Sequence, residues 1–475
     1  MKITANPWPW PWPWALGGLC LLLMACLILT APAPWFHDFA EWLFQARMIG
    51  LKLTDPHSVA AYELASYPVP NSLAILLLAA LTLFLPPLIA GKVYLLLQLT
   101  AWAWLLASYA RRFAPPGSRG SVFLVSIAIV ALSSFFWYGF ISYQFGLWLL
   151  FLFLYQCNRP CPPWVTAAFG IALFLSHAMT ALVWGLIVVG QAIDKARDCD
   201  TAFAASKDSR LVSGCLPLLP AVGLASWYLA ARLFDNDHAT TLDAGMSGLF
   251  EAMLYKAGYP LMLGSFRNIL QANGAGVFED WPVFYLVGAG ANALLALLLA
   301  CWAISVLWKA LRRKKSPPDE RGNPALAWAA LALTTLYLIA PYGFLGLLNP
   351  AGRLLLPLIG IMLILAPASS FHWWRWAAWP AALGLILSLA GYGALVTTTT
   401  ETDIGASVSF RPATGQLPDR SVFAFNQALY AGTRFPYFNY RVLVHGQRFG
   451  QLLAGDYSGL GFRTGPIVRY RAHSD

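Results

Sequence analysis

The chain has 475 residues, 59% of them hydrophobic and only 11% charged, with a formal net charge of +10. A soluble domain averages about 25% charged residues, so an ordinary soluble globular protein is excluded. The basic residues are dispersed among short loops, which points to positive-inside topology and not to nucleic-acid binding.

Several apolar runs approach the ~20 residues that a helix needs to cross a bilayer. They are continuous rather than alternating, so the expected fold class is an all-α polytopic membrane protein and not a barrel. The opening "MKITANPWPWPWPW" has one Lys and no small-residue cleavage site, and it reads as an extended interfacial anchor for a first span near 15–30.

The next stretch, "WFHDFAEWLFQARMIG", sets His37, Asp38 and Glu41 at the membrane edge, where charge is costly unless it is used or paired. Read as a helix, Asp38, Glu41, Gln45 and Lys52 form a polar stripe, and Phe39, Trp42, Leu43, Ala46 and Ile49 the opposite apolar face. Asp38 can cap this helix or do chemistry. The polar run continuing through Asp55, His57, Glu63, Tyr67 and Asn71 favours chemistry. The apolar run from Ser72 to Ala90 is broken at Pro86-Pro87 and reads as a juxtamembrane or re-entrant helix, giving a first external loop of about 31–90.

Further spans are expected near 91–110, 120–137, 144–156, 163–176, 179–193, 211–232, 283–308, 324–341, 354–370 and 376–396. That makes about eleven, with the N-terminus cytoplasmic and the C-terminus external. Residues 1–396 then form the transmembrane domain, with a second large external loop at about 233–282. Residues 397–475 form an external C-terminal region expected to pack on it. This region has eight arginines against five acids, which suits anionic head groups, a glycan or plain solvent. The seven cysteines lie at 20, 26, 157, 161, 199, 215 and 301, all in spans or cytoplasmic loops, so no external disulfide is expected. The pair in "CNRPCPP" lacks the partners a metal site needs.

Three more features lie at the external ends of spans. "FLSHAMT" places His177 between two short spans, and "FWYGFISYQFG" is an aromatic turn with Tyr143 and Gln144 as polar tips. "NPAGRLLLP" sets Arg353 alone in apolar surroundings, where it wants an anion: a lipid phosphate reached by snorkelling, or a substrate phosphate. No Gly-rich phosphate loop has a strand–helix context.

The acid after the first span, the interfacial helix, "YPVPNSL", the Arg111-Arg112 pair, "LSHAMT" and "GRLLLP" together resemble the GT-C superfamily of integral-membrane glycosyltransferases. The resemblance covers roughly 15–370 and implies a sugar donor linked to polyprenyl phosphate and an envelope glycan or lipid acceptor. It implies a site on the external, periplasmic face of a bacterial inner membrane. Asp38 would be the general base, with Glu41 beside it as the second catalytic candidate. His37, Asp55, His57, Tyr143, Gln144, His177 and Arg353 are the candidate substrate-binding residues. The pattern departs from the family in two places. Asp38 and Glu41 are not adjacent, and Tyr143 and Gln144 stand where a second acid is often found. No cofactor motif is present, and a divalent cation is left open. Two other classes fit the composition: a lipid or glycan transporter, and a non-catalytic polysaccharide assembly protein.

Overall fold

The computed structural model describes residues 12–31, 36, 39–59, 62–156, 161–197, 207–234, 253, 256–266, 282–312, 323–340, 343–344, 347–348, 350–398 and 468–470. The described chain is helical apart from four strands of two or three residues. Six helical stretches are long and apolar enough to cross a membrane: Trp12–Thr30, Pro87–Phe113, Ala178–Ala196, Leu211–Ala231, Leu286–Lys309 and Ala368–Gly393. Six shorter apolar stretches of 10–17 residues accompany them.

In chain order, α1 (Trp12–Thr30) leads to α2 (Phe39–Thr54), then to α3 (Ser72–Thr82) and α4 (Pro87–Phe113). At 1.5 Å per residue, the eleven residues of α3 reach only about 16 Å, and Pro87 starts a new helix at its first position. Next come α5 (Arg119–Ser126), α6 (Ser134–Trp137), α7 (Ile141–Gln156), α8 (Pro163–Ser176) and α9 (Ala178–Arg197). They are followed by α10 (Lys207–Cys215), α11 (Leu219–Phe234), α12 (Pro282–Arg312), α13 (Pro324–Ile339), α14 (Pro350–Leu365) and α15 (His372–Thr398).

The span expected at 120–137 is not one helix. A π-helical turn over Ile127–Ala131 ends it, and α6 follows after a break. The run at 211–232 is likewise interrupted by a 3₁₀ turn at Leu216–Leu218, where Pro217 cannot donate a helical hydrogen bond. The segment between α2 and α3 carries strand β1 (Tyr62–Leu64). It pairs antiparallel with β4 (Val468–Tyr470), so part of the C-terminal region lies on that segment. Strands β2 (Gly343–Phe344) and β3 (Leu347–Leu348) form a small hairpin just before α14.

One apolar core runs through the bundle, with Trp102, Trp137, Trp184, Trp302 and Trp374 fully buried. The apolar face of α2 enters it as the spacing requires: Phe39, Leu43, Ala46 and Ile49 are buried, while Trp42 is half-buried. Gln45, assigned to the polar stripe, is buried as well, so that stripe is not a continuous solvated face.

Candidate functional site

The chain's exit from α1 is fixed by a lysine. Nζ of Lys92 donates to the carbonyl oxygens of Leu29 (2.9 Å) and Ala31 (2.6 Å). These carbonyls have no partner inside their own helix, and a cation at a helix C-terminus is favoured by the dipole as well. Five residues on, Phe36 is fully buried in an aromatic cage of Phe39, Phe136, Trp137 and Tyr392, with ring centroids 4.9–6.2 Å away. Phe36 and Phe39 therefore pin the backbone on both sides of the His37-Asp38 pair. His37 and Asp38 themselves, and the side chain of Glu41, lie outside the described residues.

The same cage leads into the turn before α7. The π turn frees backbone carbonyls from the ordinary helical ladder, and side chains take them up. Gln144 Nε2 donates to the Val130 carbonyl (3.1 Å) and to Ser133 Oγ (3.0 Å). Trp137 Nε1 donates to the Leu132 carbonyl and to Ser265 Oγ, each at 3.0 Å. Gly139, at φ 73°, reverses the chain, a conformation disfavoured for residues with a Cβ. Tyr143 and Gln144 were expected as polar tips of an outer turn, but both are fully buried. The turn folds back over the start of α7, and the Nε2 of Gln144 holds its backbone.

His177 occupies a one-residue joint between α8 and α9. Its backbone is extended (φ −167°, ψ 125°), and its N–H still donates to the Leu173 carbonyl at 2.8 Å. Its own carbonyl then accepts from the amide and the hydroxyl of Thr180, so the joint closes one helix and opens the next. Gly146 of α7 makes this junction possible. A Cβ there would lie 2.6 Å from Thr180 Oγ1 and 3.3 Å from His177 Cβ.

Arg353, in the first turn of α14, reaches the buried His177: Nη1 is 2.7 Å from Nε2. The guanidinium stands 5.2 Å over the Phe140 ring and 5.9 Å over that of Tyr143. Tyr143 packs edge-on against the imidazole, at 5.0 Å between centroids, and its hydroxyl donates to the Arg353 carbonyl at 2.6 Å. Arg353 is thus not alone in apolar surroundings but clamped from both its backbone and its head group. The start of α3 closes this group: the Asn71 carbonyl accepts from Ser142 Oγ at 2.9 Å, and Ser72 Oγ donates to the Leu175 carbonyl.

The His177 contacts conflict. Met179 N–H points at Nδ1 (3.2 Å), which requires an unprotonated Nδ1. Arg353 is a permanent donor, and its 2.7 Å approach requires an unprotonated Nε2. A neutral imidazole carries one proton, so one of these contacts sets two donors face to face. Helices α7, α9 and α14 all begin here, with no acid in their first turns, and their dipoles add positive potential. Arg353 and His177 thus set a guanidinium and an imidazole side by side at the start of three helices, an arrangement suited to an oxyanion.

Of the sequence candidates, the structure therefore brings together Tyr143, His177 and Arg353, with Gln144 behind them. Asp55 and His57 are exposed beyond the end of α2. Thr82 Oγ1, at the C-terminal end of α3, meets the carbonyl of Ala46 in the middle of α2, whereas the N-terminal end of α3 meets Ser142 and Leu175. Phe140 and Ser72 were not singled out from sequence, although the adjacent Gly139 marked the turn that places Phe140. Among the described residues no group of three His, Cys, Asp or Glu could hold a metal ion. Comparison with protein-family models, with characterised proteins and with solved structures finds no match, so the functional reading rests on this geometry.

Proposed function

We propose that the chain is a membrane glycosyltransferase of GT-C type. It moves a sugar from a polyprenyl-phosphate carrier to an envelope lipid or glycan acceptor on the external (periplasmic) face of a bacterial inner membrane. The reading keeps eleven spans, six of them long helices and five from the shorter apolar stretches, with α3 re-entrant. The observation that carries it is the donor-rich Arg353–His177 pair at the start of three helices, which fits the phosphate of a lipid-linked donor.

In this reading Asp38 accepts the proton of an acceptor hydroxyl as its oxygen attacks the anomeric carbon. The bond from that carbon to the carrier's phosphate oxygen breaks, and the electron pair leaves with the phosphate. Arg353 Nη1–H and His177 Nε2–H donate to the oxygen on which charge builds, which relieves their mutual opposition. Support for the proximity of Asp38 comes from its anchors: Phe36 touches Phe136, and Phe140, four residues along the same turn, lies beneath the Arg353 guanidinium.

The test is mass spectrometry of envelope glycolipids and glycans in the parent strain, a deletion strain and a strain carrying Asp38→Asn at matched expression. A sugar lost in the deletion and in Asp38→Asn identifies the product and supports base catalysis. A sugar lost on deletion but fully restored by Asp38→Asn refutes the base role and favours a transporter or an assembly protein.

A further inference from the structure

The opposite end of the bundle carries a second unusual concentration of charge. Arg111 and Arg112 end α4, Arg119 begins α5 and Arg375 lies in the first turn of α15. All four gather around the short loop from Ala114 to Ser118. Arg119 Nε donates to the Ala114 carbonyl (3.3 Å) and Arg375 Nε to Ser118 Oγ (3.1 Å). Arg112 donates to the Tyr155 carbonyl and stacks 4.6 Å over that ring, and Arg111 stands 5.8 Å over Trp14. Among the described residues none of the four has a carboxylate partner. Carbonyls, a hydroxyl and rings hold the guanidiniums in place while their charge stays uncompensated.

Tryptophans surround this patch. Trp12 stacks on Trp379 at 4.7 Å, Trp14 packs on Phe123 at 4.5 Å, and Trp376 and Trp379 are 64% and 56% exposed. Such a belt marks the head-group level of a bilayer. Lys92 and Arg111, at the two ends of α4, are about 28 Å apart along the helix, which separates this patch from the Arg353 group by nearly a bilayer core. Below the belt, α1 exposes Leu22 and Leu23, and α15 exposes Leu383 and Ile386.

We propose that this rim is a binding site for an anionic phospholipid, with Arg111 and Arg375, the two exposed guanidiniums, holding its phosphate and the apolar faces of α1 and α15 receiving its acyl chains. Arg112 and Arg119, half-buried, add field and hold the loop. The Trp-rich start of the chain then has a reason beyond anchoring: Trp14 forms the floor under Arg111.

The test uses the purified full-length protein, mildly delipidated, in native mass spectrometry with added phosphatidylglycerol, phosphatidylcholine or a short-chain polyprenyl phosphate. The wild type is expected to retain phosphatidylglycerol roughly tenfold better than phosphatidylcholine. The double variant Arg111→Gln/Arg375→Gln should lose that preference. Lys195→Gln/Lys309→Gln, which removes two charges from the same end of the bundle, should keep it. Equal retention of both phospholipids by the wild type overturns the proposal without reference to any variant. An undiminished preference in the arginine double variant, or polyprenyl phosphate displacing phosphatidylglycerol at equal concentration, also overturns it.

Discussion

Nη1 of Arg353 lies 2.7 Å from Nε2 of His177, a ring whose other nitrogen already faces the Met179 amide. An anion oxygen placed between these two groups would accept from both. The pair is therefore where phosphate recognition is best tested.

Arg353→Gln keeps a donor but removes the charge. Turnover of a lipid-linked sugar donor should fall by about 10²–10³-fold, the usual cost of losing a transition-state oxyanion donor. Arg353→Lys should recover only part of it, because an ammonium lacks the planar fork and stacks less well between Phe140 and Tyr143. Single-turnover assays on protein in lipid nanodiscs check both. Arg353→Gln at wild-type rate would remove the phosphate role.

The proposed function gives His177 two jobs that substitution can separate. Asn favours helix N-caps, so His177→Asn should fold and melt close to the wild type while losing the Nε2 donor, with turnover down roughly 10-fold to 100-fold. His177→Ala should lose the cap as well, at about 1 kcal/mol of stability. Thermal unfolding in detergent alongside turnover distinguishes them, and equal activity in His177→Asn would leave the imidazole a purely structural part.

His177, Arg353 and Tyr143 could each be picked out from sequence for one physical reason: a polar or charged group in an apolar run is expensive. That they meet could not be read, because their contacts join α7, α9 and α14, and single-chain periodicity does not record which helices touch. Gln144 shows the opposite limit. Its residue type and place suggested a ligand contact, and the bonds its Nε2 makes depend on a π turn at Ile127–Ala131 that no pattern in that apolar stretch announces. Spans were legible where runs were long and uniform, as in α1 and α4. Near Pro217 and before α6, local backbone geometry interrupts the helix within runs that hydrophobicity alone reads as continuous.

Gly146 is where α7 and the His177 joint come closest. Gly146→Leu would drive its Cβ to within 2.6 Å of Thr180 Oγ1 with further atoms behind it, so about 1–3 kcal/mol of stability should be lost. Gly146→Ala should fall between the two. A fall in melting temperature ordered Gly, Ala, Leu is the expected result, and an unchanged Leu variant would show that the helices can part freely.

Phe36 tests the anchoring of the segment that carries Asp38. Truncation to Ala empties the centre of the aromatic cage, and such changes cost about 3–5 kcal/mol in a packed core. Phe36→Leu keeps much of the volume and should remain folded, yet lose turnover through a less well held loop. Turnover and melting temperature measured together decide it, the expected signature being activity that falls more than stability.

The extended joint at His177 has a consequence for how this protein can change. Because a single residue both reverses the chain and presents the imidazole, inserting or deleting one position beside it would rotate α9 by about 100° relative to its neighbours. The imidazole cannot be re-aimed on its own; any re-aiming turns a whole helix and misaligns its packing on α13 and α14. Sequence is therefore freer to drift in the loops facing this group than in the hairpin that bears it.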